Sequence, residues 1–177
     1  MNGRFGGCAT CTGACCRTYL VPVTVADVRS LVQATALYPQ EFLALGDARP
    51  GVPGFLLDPT GTPQMLLLDR RQSTGACTFL IELPDGQGRC GVYPDRPLGC
   101  RTFPAVLRHG TAAVREDVLC GPSAWNVATM NLPALRHNLI AQHADWAAHE
   151  RVAAAWNAGV DSPRTPAQLY RYLLDQF

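Results

Sequence analysis

Apolar residues return at Val25, Val28, Leu31 and Val32, one face of a helical period, immediately behind Thr24. Thr24 suits an N-cap, so the pattern predicts a helix that ends before Pro39. A second short helix is predicted over residues 40–45, stopped by Gly46. The pattern then changes to short apolar runs. Phe55-Leu56-Leu57 and Met65-Leu66-Leu67-Leu68 flank the turn-rich Asp58-Pro59-Thr60-Gly61-Thr62-Pro63, which predicts a hairpin with a long loop. Residues 77–83 form the next predicted strand, followed by the turn Pro84-Asp85-Gly86 and a short strand over residues 90–93. That places Cys77 and Cys90 near one another on adjacent strands. Residues 105–108 and 111–118 predict two more strands joined at His109-Gly110. In the last third, Leu132, Leu135, Leu139, Trp146, Val152 and Trp156 mark a long helix from Leu132 or Pro133 to about Trp156, and Thr165-Pro166 opens a final helix.

These elements describe an α+β fold: a small antiparallel sheet with cysteine-rich loops, packed against several helices. At 177 residues the chain fits a single domain, residues 1–177, able to bury its own core. A net charge of +1 and a 47% hydrophobic share predict a soluble globule with no nucleic-acid partner. No run approaches the roughly 18 apolar residues of a membrane span, so no membrane partner is expected, while a protein partner is left open. Residues 1–7 do not read as a secretory signal, which predicts a cytoplasmic location. There the eight cysteines would be kept reduced, as ligands or reactive thiols rather than disulfides.

All fifteen basic residues are Arg, so a lysine Schiff base and a P-loop lysine are both excluded. G-x-S-x-G, H-E-x-x-H, a Gly-rich phosphate loop and the deaminase zinc signature are also absent. The cysteines carry the chemistry. Cys8, Cys11, Cys15 and Cys16 crowd one Gly-punctuated loop, and Cys90 and Cys100 bracket a Pro-stiffened segment. Cys77 and Cys120 complete the set. Soft thiolates select zinc or iron-sulfur clusters over magnesium or calcium, and C-x-x-C spacing lets two thiolates reach one metal while intervening amides face the sulfurs. Neighbouring side chains diverge, so one of Cys15 and Cys16 is left to serve a second metal or only to pack.

Arg17, Arg96 and Arg101 lie beside cysteines and are candidates to compensate thiolate charge. The alternative for each is a surface ion pair with Asp95 or Glu82. Tyr93 and Phe103 are expected to wall the site. His109 is expected at a turn. His137, His143 and His149 each lie about 240° round their helix from the last and cannot share a metal; two solvated and one packed is the expectation.

The segment Cys90-Gly-Val-Tyr93-Pro-Asp-Arg96-Pro97-Leu-Gly-Cys100-Arg101-Thr-Phe103-Pro104 resembles the signature of the YkgJ-type cysteine-cluster family, described as chelating zinc or iron. Cys77-Thr78-Phe79-Leu80 is similar to its upstream element, and Cys8 to Cys16 to its C-x-x-C-x-x-C-C, with three residues rather than two between Cys11 and Cys15. The resemblance covers residues 8–104, leaving 105–177 as a hairpin plus helices. It implies metal-ligand roles for Cys8, Cys11, Cys15, Cys16, Cys77, Cys90 and Cys100; Cys120 is a candidate outside the signature. The leading expectation is a metal-binding protein holding zinc or an iron-sulfur cluster in a structural, electron-transfer or sensing role. Two other readings accompany it. The family includes an S-adenosylmethionine-dependent flagellin lysine N-methylase, which implies a protein-lysine methyltransferase, and a thiol redox protein using Cys8 and Cys11 is the third.

Overall fold

The computed structural model describes residues 11–109, 111–119 and 131–177. Behind the short helix α1 (Ala14–Thr18), Thr24 caps α2 (Val25–Thr35) as the pattern predicts, and Asp27 completes a capping box with it. Val25, Val28 and Leu31 of α2 enter the main core with Phe42, Phe55, Leu66, Leu68, Trp156, Leu169 and Leu173.

The predicted helix over residues 40–45 is not formed. Pro39–Glu41 makes one 3₁₀ turn, and the chain then extends as β1 (Leu43–Asp47), antiparallel to β2 (Gln64–Leu68), with Leu43 opposite Leu68 and Gly46 opposite Met65. Pairing along β2 outweighs the weak local helix preference. The predicted partner of β2 was residues 55–57, yet only Phe55 meets it, through reciprocal backbone hydrogen bonds to Gln64 of 2.8 Å. Beyond Phe55 the backbone is engaged elsewhere. Trp156 Nε1 donates to the Leu56 carbonyl (2.6 Å), Leu56 N–H donates to Asn157 Oδ1 (2.7 Å), and Asn157 Nδ2 donates to the Gly54 carbonyl (2.9 Å). With those groups satisfied by side chains of the long C-terminal helix, no ladder remains to be made.

β3 (Leu80–Glu82) and β4 (Gly88–Cys90) form a hairpin with Leu80 opposite Cys90. This strand pair is shorter than predicted. Cys77 does not lie on it but bridges Arg70, and the chain leaves β4 at Cys90 for a 3₁₀ turn, Tyr93–Asp95. Helix α3 (Leu98–Thr102) carries Cys100. β5 (Ala105–Arg108) and β6 (Thr111–Val114) pair at the predicted turn, where His109 adopts φ 50, though β6 stops short of residue 118. Among the described residues, antiparallel pairing is thus spread over three two-stranded sheets.

Helix α4 (Leu132–Ala158) and helix α5 (Pro166–Leu174), the latter capped by Thr165 and Gln168, stand where the periodicity puts them. Leu135 and Leu139 of α4 pack on Ala105 and Val114, a small second core. His149 is 1% exposed, whereas His137 and His143 are exposed, which is the expected division of the three. Among the described residues, no helix is long and apolar enough to cross a membrane.

Candidate metal centre

Backbone hydrogen bonds fasten the N-terminal cysteine loop to the β3–β4 region. Gly88 N–H donates to the Cys11 carbonyl (2.8 Å), and Cys77 N–H donates to the Cys16 carbonyl (2.7 Å). Gly88 permits this approach because a Cβ there would lie 2.9 Å from backbone atoms of Thr12 and Gly13. Gly13 in turn adopts φ 79 as the N-cap of α1 and donates its N–H to Cys11 Sγ at 3.2 Å. The left-handed Gly13 takes up the third residue between Cys11 and Cys15 and turns the chain straight into the helix that carries Cys15 and Cys16.

On that helical turn the Cys15 and Cys16 sulfurs do not diverge. They stand 3.9 Å apart, within reach of a thiol-to-thiol hydrogen bond. Arg70 rivets the end of α1 in place by donating to the carbonyls of Arg17, Thr18 (3.1 Å) and Gly75, and Arg71 donates to the Leu80 carbonyl. Sequence reasoning missed both arginines and Gly88; the doublet Arg70-Arg71 just before Cys77 was the available signal. Cys77 and Cys90 pack against the main core and Cys100 faces them from α3. All six described cysteines are free and partly buried.

Their electrostatics describe a single cluster. Cys15 is lowered to about 7, chiefly by the hydrogen bond from Cys16, and Cys16 is raised by that same bond and by burial. Burial raises Cys77 and Cys90, and raises Cys100 further with the help of Cys15, Cys77 and Cys90. The mutual effects among Cys15, Cys16, Cys77, Cys90 and Cys100 put these five thiols in one neighbourhood. Arg96 opposes them, acting on Cys15, Cys90 and Cys100, while its guanidinium stacks 4.1 Å above the Tyr93 ring. Arg71 acts similarly on Cys77.

The other two candidate arginines have different occupations. Arg17 pairs with Glu82, the surface alternative, and donates to the Thr12 carbonyl, while Arg101 Nε donates to the Arg96 carbonyl at 2.8 Å. Cys8 and Cys120 lie outside the described residues.

The donor set fits zinc or iron in kind. Partly buried thiols from four stretches of chain are soft ligands, and a divalent cation supplies the countercharge that lets them ionise together. As the side chains stand, no three Cys, His, Asp or Glu groups among the described residues enclose a point for a metal ion. The agreement therefore lies in donor chemistry and in the convergence of the stretches, not in finished coordination.

The class that such chemistry defines is a cysteine-cluster, metal-chelating domain. Residues 7–121 match the family CxxCxxCC, described as a putative zinc- or iron-chelating domain, and the chain belongs to this family. Zinc or iron is also the pair reached from thiolate softness. The match runs past Pro104 and takes in the β5–β6 hairpin and Cys120. No curated protein and no solved structure matches the chain.

Proposed function

We propose that the chain is a cytoplasmic metal-binding protein whose Cys11, Cys15, Cys16, Cys77, Cys90 and Cys100, together with Cys8 and Cys120, supply the thiolates for zinc or an iron-sulfur cluster. The role is structural, electron-transferring or sensing. One observation carries the reading: thiols from α1, from the Arg70–Cys77 bridge, from β4 and from α3 lie close enough to shift one another's ionisation. Arg96 is the charge partner, and Arg17 and Arg101 brace the surrounding loops. Anaerobic purification followed by elemental analysis and visible absorbance tests it. Iron with sulfide and a brown colour supports the cluster, and colourless protein with zinc supports a structural site. A folded, fully reduced chain with neither metal refutes the proposal, as does unchanged metal content in Cys100→Ala.

A further inference from the structure

Resting on that metal-binding reading, we infer that Asp27 is a positioning residue for the metal centre, though it lies on a helix with no cysteine. Asp27 is 8% exposed, and its carboxylate divides its oxygens between two helices. Oδ2 accepts from Thr24 N–H (2.9 Å) and from the Thr24 hydroxyl (3.0 Å), completing the cap of α2. Oδ1 accepts from Leu98 N–H at 3.0 Å. Leu98 is the first residue of α3, the helix of Cys100.

Helix α3 has no cap of its own. Its N-cap residue is the buried Pro97, which has neither a capping side chain nor an N–H. The Pro97 carbonyl accepts from Cys100 N–H (2.8 Å) and Arg101 N–H (3.0 Å), so the Cys100 backbone is set by where Pro97-Leu98 is held. The Leu98 amide is tied outside α3 to the Asp27 carboxylate, while α3 also packs against α4. A charged acceptor on a half-buried amide is a strong and directional tie, and the tie ends two residues from Cys100. The cap seen from α2 alone would need only Oδ2; the second oxygen serves the cysteine helix.

The two halves of the carboxylate can be separated by experiment. Thr24→Ala removes the hydroxyl bonds of the α2 cap and leaves the bond to Leu98; Asp27→Ala removes the carboxylate bonds to both Thr24 and Leu98. Cobalt(II) titrated into the full chain under anaerobic conditions is read by its thiolate-to-cobalt absorption, alongside the thermal midpoint of the metal-free chain. Thr24→Ala is expected to lower the midpoint while cobalt affinity stays within about twofold of wild type, whereas Asp27→Ala loses about tenfold or more and shifts the absorption.

Should Asp27→Ala fail to fold, Asp27→Asn is read in its place. It keeps one acceptor oxygen but turns an amide NH₂ toward one of the two helices, and a loss of about threefold or more is expected. Equal affinity for wild type and the Asp27 variant overturns the inference alone. So does a Thr24→Ala loss as large as that of Asp27→Ala. A wild-type chain that gives no thiolate-to-cobalt absorption overturns the metal reading beneath it.

Discussion

Substituting Gly88→Ala separates the cysteine loop from the hairpin that holds it. Gly88 is in β4 with an ordinary backbone conformation, so alanine meets no backbone penalty there. The obstacle is contact. The new Cβ would lie 2.9 Å from Gly13 N, Thr12 C and Thr12 O, and all three are backbone atoms that no rotamer change can move. Restoring ordinary contact requires a shift of about half an ångström, which stretches the 2.8 Å bond from Gly88 N–H to the Cys11 carbonyl toward its limit. Losing that bond costs about 1 kcal/mol, and the overpacking adds about 1–3 kcal/mol, for a total near 2–4 kcal/mol.

Urea denaturation measures the stability, and zinc or iron per chain measures the site; both are expected to fall. Gly86→Ala is the control. Gly86 has φ 80 with nothing within 4 Å of a Cβ, so it costs only the left-handed penalty of about 1–2 kcal/mol and leaves metal content intact. Wild-type stability and metal content in Gly88→Ala would refute the reasoning, and so would equal metal loss in both variants.

Two further predictions concern the scaffold. Leu173 of α5 is fully buried, and Leu173→Ala is expected to cost about 2–5 kcal/mol in chemical denaturation; a loss below 1 kcal/mol would show that α5 is not part of the core. His149 lies edge-on to Phe55 and Trp146, at ring distances of 5.2 and 5.1 Å, and neither ring nitrogen has a hydrogen-bond partner in range. Burial lowers its pKa, and the nearby Pro53 carbonyl and Asp27 oppose that only in part. The unfolded chain therefore binds the proton more readily. Stability should be full above the ordinary histidine value of about 6.5, fall as the pH drops below it, and level off under the folded value. Denaturation midpoints at about pH 7.5 and 5.5 test this, and the difference should shrink in His149→Phe; an unchanged difference would assign the acid loss to other groups.

Elements with their own local signals were legible in the sequence. Thr24 before its apolar period, Thr165-Pro166 and the apolar period after Leu132 each specify a helix through neighbours a few residues away. The partner of β2 was not, because the choice between residues 43–47 and 55–57 is made by groups far along the chain. Residues 55–57 read as a strand, but Trp156 and Asn157 occupy the backbone groups that a ladder would need. The site divides in the same way. Cysteine identity and spacing were visible as candidates for one centre, whereas the docking through Gly88, Arg70 and the Leu98 amide uses backbone groups and leaves almost no residue-type pattern.

The bonds from Gly88 to Cys11 and from Cys77 to Cys16 also bear on timing. They join stretches about 60 to 80 residues apart, so the partners become available at different moments as the chain is made. At roughly 5–20 residues per second, Cys11 precedes Cys90 by on the order of 4–16 s. Closure over such separations is slow and non-local. Through that interval the first thiols are present without the hairpin that docks them, and any metal they meet then is met by a loop rather than by a site.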